Sequence, residues 1–140
     1  MRLPFFVYGT LRPGERNHDR LLRGSIRSEE PGLLPGAVLY EGPGYPYAVA
    51  EGHGTVSGEI VTALPGTYDE LLDALDRLEE YQPDDPRSLY ERVAREVTAA
   101  DGRSARAWVY LAAPAVAARL RALGRLIEGG DWRTRRHSHR

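Results

Sequence analysis

One carboxylate in the stretch TYDELLDALDRLEEYQP, residues 67–83, falls where an acid is costly to keep. The segment reads as an amphipathic helix. On a wheel of about 100° per residue, Tyr68, Leu71, Leu72, Leu75 and Leu78 share one arc. Asp73, Arg77 and Glu80 fall on the opposite side and Asp76 on the border. Glu79 lies about 80° from Leu71, inside the apolar arc. A carboxylate turned towards a core is expensive unless it is paired or neutralised. Desolvation raises its pKa towards neutrality, the range in which a general acid or base works. The pattern leaves two readings open. Glu79 is a proton-transfer group, or it reaches past the helix end to solvent or to an arginine.

A second feature lies in LPFFVYGTLRPGERN, residues 3–17. An apolar run stops at Tyr8, and the turn-formers Gly9, Thr10, Pro13 and Gly14 follow. A tight hairpin would reverse within two residues. This longer loop is suited to presenting backbone groups. Aromatic residues gather at the predicted strand ends: Tyr8, Tyr90, Trp108 and Tyr110. Alternation puts Trp108 and Tyr110 on one strand face with Arg106, and Ala105, Ala107, Val109 and Leu111 on the other. The aromatic face either lines a pocket with Tyr8 or is ordinary core. Arg92 shares a face with Tyr90 and invites a carboxylate partner. Trp132 is expected to plug the core near the C-terminal end.

Other chemistries find little support. Cysteine is absent, which removes disulfides, thiolate metal sites and cysteine nucleophiles. His18, His53, His137 and His139 lack helical metal-ligand spacing and are expected at the surface. No serine sits in a nucleophile elbow. The glycines at 42, 44, 52 and 54 form no phosphate-binding pattern opening a helix. The formal net charge is -1, with no electrostatic case for nucleic acid or an anionic membrane. No apolar run approaches the roughly 20 residues of a membrane helix, and the N-terminal run is too short for a signal peptide. A cytoplasmic setting is the expectation, since a chain without cysteine fits a reducing compartment.

The elements that must position these groups are short. Leu3–Tyr8 reads as a buried strand, and Asn17 as the cap of a short helix reaching Leu22. Gly and Pro break the next segment into expected strands at Ser25–Glu30, Ala37–Glu41, Tyr47–Ala50 and Thr55–Ala63. Thr67 and Glu70 form a predicted capping box at the start of the helix, and Pro83 stops it. Tyr90–Thr98 and Arg103–Ala112 form a hairpin across Asp101–Gly102. Pro114 opens a last helix through Val116, Leu120, Leu123 and Ile127, weakened by Gly124. Residues 1–132 are expected to form one domain and 133–140 a disordered basic tail. The order of elements reads as α+β around a small sheet or barrel.

VYGTLRPGERN, VSGEIV, LLDALDRLEEY, YERVAREV, ARAWVY and IEGGDW occur in the order seen in the gamma-glutamylcyclotransferase-like, or AIG2-like, superfamily. The chain resembles that family over residues 3–132. The resemblance implies a small mixed β-barrel flanked by short helices, with a pocket at its mouth. It implies that Tyr8, Gly9, Thr10 and Leu11 form a glutamyl-binding loop, that Glu79 is the acid/base residue, and that Tyr110 lines the pocket. It also implies a small gamma-glutamyl substrate, whose α-amine attacks its own γ-amide to give 5-oxoproline and a free amine or amino acid, with no metal or cofactor required. Two other readings are a non-catalytic protein that binds a small acid, and a related gamma-glutamyl amide-cleaving enzyme. The chain departs from the family in having Glu79–Glu80 where relatives usually have Glu-Gly. Glu80 is therefore a rival that the wheel places towards solvent.

Overall fold

Phe5, Phe6 and Val7 form the first strand, β1, and all three are buried in the computed structural model, which describes residues 2–134. An unbroken apolar run suits a strand covered on both faces. Phe6 packs into one hydrophobic cluster, while Phe5 and Val7 pack into another. β1 is antiparallel to β3 (Pro46–Ala63) and parallel to β5 (Ser104–Ala112). β5 pairs antiparallel with β4 (Tyr90–Ala99), and β4 with β2 (Ile26–Glu41). β2 pairs with β3 and closes the ring. The result is a closed five-stranded mixed barrel. A two-residue strand, β6 (Leu126–Ile127), adds to β2 from outside the ring.

The barrel wall separates two cores. Leu34, Leu39, Val56, Ile60, Val97 and Val109 belong to one, together with Phe6 and Tyr8. The other lies beneath the helices and contains Leu71, Leu75, Val116, Tyr90 and Tyr110. β5 shows the expected alternation: Ala107, Val109 and Leu111 belong to the first core, Trp108 and Tyr110 to the second. Trp132 is buried in the first core. It starts a 3-10 turn, Trp132–Thr134. The rest of the expected basic tail lies outside the described residues.

Four strands expected between 25 and 63 are two long ones. β2 runs through Pro31 and Pro35. Along most of its second side β2 pairs with no strand among the described residues, because β4 meets it at Gly32–Leu33 and β6 at Leu39–Tyr40. Proline is tolerated on such an edge because the missing N–H has no partner to lose. The register shifts between Pro35 and Ala37, at Gly36 with φ +77°. That bulge keeps Leu34, Ala37 and Leu39 all in one core despite their unequal spacing.

The main helix, α1 (Tyr68–Leu78), follows a 3-10 turn at Pro65–Thr67. The capping box does not form. Thr67 is part of that turn, and its hydroxyl donates to the carbonyls of Leu64 and Ser25. α1 also stops short of Pro83. A second helix, α2 (Pro114–Leu123), ends at Gly124. The short helix expected after Asn17 is a π-helical turn, His18–Leu22; Asn17 does not cap it but donates to Thr10 Oγ1.

Candidate active site

The end of α1 delivers Glu79. Tyr68, Leu71 and Leu75 are buried and fix the helix on the barrel wall, while Asp73, Arg77 and Glu80 are exposed, as the wheel predicts. Glu80 has φ +53°. The Glu80 N–H donates to Arg77 O at 3.1 Å, and the Tyr81 N–H donates to Asp76 O at 2.8 Å. This pair of bonds is a Schellman motif with Glu80 at the left-handed position just past the helix. Glycine is the usual residue there, which accounts for the Glu-Gly pattern from which this chain departs. Glu79 is the last residue before the reversal and is partly buried.

Glu79 lines a small cavity with Phe6, Val7, Tyr8, Gly9, Thr10, Leu11, Tyr45, Pro46, Tyr90 and Tyr110. All six residues singled out in the sequence therefore meet at one place. Among the described residues, none donates a hydrogen bond to the Glu79 carboxylate or forms an ion pair with it. Burial alone pushes its pKa up to about 7. Burial also lifts the phenols of Tyr8, Tyr90 and Tyr110 far above the usual tyrosine range, and the Glu79 charge adds to the effect at all three. Those phenols stay neutral at physiological pH, so Glu79 is the lining group that changes protonation there.

The loop after β1 turns its carbonyls inward. Gly9 O accepts from the Arg12 N–H at 3.1 Å, and Thr10 O from the Asn17 N–H at 2.9 Å. Among the described residues, no acceptor pairs with the N–H groups of Gly9, Thr10 or Leu11. Amides left unpaired beside a cavity can hold an anion. Gly9 is required by close approach: a Cβ there would lie 2.8 Å from Pro46 Cδ.

Tyr8 and Tyr110 have tied hydroxyls. Tyr8 donates to the Tyr110 carbonyl and accepts from the Ala48 N–H. Tyr110 donates to Asp76 Oδ1 at 2.5 Å. Asp76 also receives Arg92 Nε at 2.9 Å, and the Arg92 guanidinium lies 4.6 Å from the centre of the Trp108 ring. The border carboxylate of the helix is therefore the partner that Arg92 invites. Both tyrosines shape the cavity more than they offer it a free proton.

Tyr45, Pro46 and Tyr90 also line the cavity and were not singled out as site residues in the sequence. The Tyr90 hydroxyl donates to Pro46 O at 2.9 Å, and its ring stacks on Tyr47 at 4.9 Å. The signal lay in the run Tyr45-Pro46-Tyr47, where the strand expected from Tyr47 starts one residue earlier, at Pro46. Among the described residues, no group of three His, Asp or Glu side chains converges on a metal-binding position. His18 is not a bare surface histidine: its Nε2 lies 2.8 Å from Glu29. No helix is long and apolar enough to cross a membrane among the described residues.

The fold is a closed mixed barrel, and Glu79 and the loop after β1 line one cavity. The chain matches the family described as gamma-glutamyl cyclotransferase, AIG2-like, over residues 5–134, and it belongs to that family. It is 35% identical over 107 residues to the gamma-L-glutamyl-butirosin B gamma-glutamyl cyclotransferase of Niallia circulans. That match takes in 76% of this chain and 64% of the relative, just under two thirds of its length. A Vibrio cholerae protein provisionally named gamma-glutamylcyclotransferase is 32% identical, over 91% of this chain and 92% of its own. The crystal structure of a mouse AIG2-like protein shares the fold with a TM-score of 0.64 at 27% identity, covering 81% of this chain and 80% of that one.

Proposed function

We propose that this protein is a gamma-glutamyl cyclotransferase acting on a small gamma-glutamyl amide. The observation that carries the reading is the Glu79 carboxyl, held near pKa 7 without a partner among the described residues, in one cavity with the amides of Gly9, Thr10 and Leu11. Family membership supports the same reaction. In the substrate, the neutral α-amine attacks the γ-carbonyl carbon and forms the C–N bond of a five-membered lactam. Glu79 accepts the proton that the amine loses. The tetrahedral oxyanion collapses, the original amide C–N bond breaks, and Glu79 returns the proton to the departing nitrogen. The products are 5-oxoproline and a free amine or amino acid. No electrons change hands, and the chain's own residues suffice for each step.

Nucleophile and electrophile share one molecule, so holding the substrate folded supplies much of the rate. A positioned acid/base contributes roughly 10²–10⁴-fold. Loop amides aimed at the developing oxyanion act in a site that excludes water, where they count for more. Tyr8, Tyr90 and Tyr110 wall off that water. A cytoplasmic setting agrees with a chain that has no cysteine.

The test is formation of 5-oxoproline from a panel of gamma-glutamyl amino acids, gamma-glutamyl amines and gamma-glutamyl-ε-lysine, read by mass spectrometry. Glu79→Gln is expected to lower kcat at least a hundredfold while substrate still binds. Glu80→Gln is expected to turn over normally. Substrate binding without turnover by the parent protein would instead establish a small-acid-binding protein.

A further inference from the structure

Arg12 is one of the few buried polar residues, and its side chain does not reach the cavity wall. Its Nε donates to Glu59 Oε1 at 2.8 Å and its second terminal nitrogen to Glu59 Oε2 at 3.2 Å. The remaining terminal nitrogen donates to Asp131 Oδ1 at 2.7 Å. Glu59 belongs to β3 and is itself buried. Asp131 lies in the last described segment, which is fastened independently. Gly130 O accepts from the Ser57 N–H at 2.8 Å, Trp132 is buried, and Arg133 sits 3.7 Å from Glu15 of the same loop.

A buried guanidinium that donates through all three of its nitrogens to two carboxylates is a rigid anchor, because breaking either pair strands a charge out of water. Arg12 directly follows the three residues whose amides face no acceptor among the described residues, and its own N–H closes their turn onto Gly9 O. The anchor therefore acts on the loop at the residue that sets its geometry. The charged members come from three of the short motifs, VYGTLRPGERN, VSGEIV and IEGGDW, and meet far from their positions in the chain.

We propose that Arg12 is a positioning residue. Clamped between Glu59 and Asp131, it fixes the Gly9–Leu11 amides in the orientation that receives the oxyanion, so the C-terminal segment is part of the catalytic apparatus without touching substrate. The inference rests on the cyclotransferase reading for its catalytic half only.

Two variants and two readouts test it. Asp131→Asn removes one charge at the more open end of the clamp, and Arg12→Gln removes the anchor. In ¹⁵N relaxation, the amides of Gly9, Thr10 and Leu11 are expected to have order parameters of about 0.85 in the parent and below about 0.6 in Arg12→Gln. Asp131→Asn should fall between them. In turnover, kcat is expected to drop about a hundredfold in Arg12→Gln, comparable to loss of an oxyanion donor, with KM changed less than threefold. The acid limb of the pH–rate profile should stay in place, because Glu79 is untouched. Should Arg12→Gln fail to fold, Asp131→Asn carries both readouts with a smaller loss of the same kind. Unchanged loop order parameters, or kcat within threefold of the parent in the folded variants, would overturn the proposal. A parent protein inactive on the whole panel would defeat the cyclotransferase reading and with it the catalytic half. The relaxation data would still decide whether the clamp holds the loop.

Discussion

An ordinary glutamate titrates at 4.5, whereas the folded site lifts Glu79 to about 7. Between those values the folded chain holds a proton that the unfolded chain has released. Stability is therefore greatest below pH 4.5 as far as this group is concerned, falls as pH rises to 7, and stays low above it. The span corresponds to about 3 kcal/mol. Glu79→Gln is accordingly expected to raise unfolding free energy by about 2–3 kcal/mol at pH 8 and by almost nothing at pH 4, measured by urea titration at both. The parent's kcat/KM should climb through an acid limb near pH 7 as Glu79 becomes the base. One measurement reads the cost of the ionised carboxylate, the other its use. Glu79 was legible in the sequence because a helix imposes a period, and an acid inside an apolar arc breaks it. Arg12 was not. Its partners lie 47 and 119 positions away, and no local pattern announces a pairing over such distances.

The elements fall where hydrophobic period or turn chemistry is strong, and depart from expectation where one residue has two possible uses. The hairpin at Asp101–Gly102 and the helix face of α1 follow from sequence directly. Thr67 did not, because its hydroxyl satisfies carbonyls behind it rather than amides ahead of it. The prolines of β2 look like breaks until the open side of the strand is known. The end of α1 offers a sharper test. Glu80 occupies a left-handed conformation that costs a side-chain-bearing residue about 1–2 kcal/mol. Glycine avoids that cost but loses more entropy on folding. Glu80→Gly is expected to stabilise the protein by up to about 1 kcal/mol and to leave kcat unchanged, checked by denaturant melts and the product assay. Loss of activity in that variant would reopen the choice between the two glutamates.

For the molecule as a whole, the two cores bear unequally on the helix that carries Glu79. Leu34 lies in the first core and Leu75 in the second, and both are almost wholly buried. Truncating either to alanine is expected to cost about 2–5 kcal/mol. Their effects on turnover should differ. Leu75 supports the last turns of α1, and its carbonyl accepts the Glu79 N–H at 3.0 Å. Leu75→Ala is expected to lower kcat at least tenfold more than Leu34→Ala in folded protein, a ratio read from the same assay at a temperature where both are native. The closed α+β barrel could be anticipated only in outline, because ring closure depends on β1 pairing with β5, strands about a hundred residues apart. The way α1 stops has a further consequence for how this protein can change over generations. Glu79 reaches the cavity because the chain counts a fixed number of residues from the start of the helix to its reversal. Substitutions along the exposed face leave that count intact. A single inserted or deleted residue would swing the carboxylate about 100° away from the cavity while the helix itself survived. Length, more than composition, is what drift in α1 has to preserve.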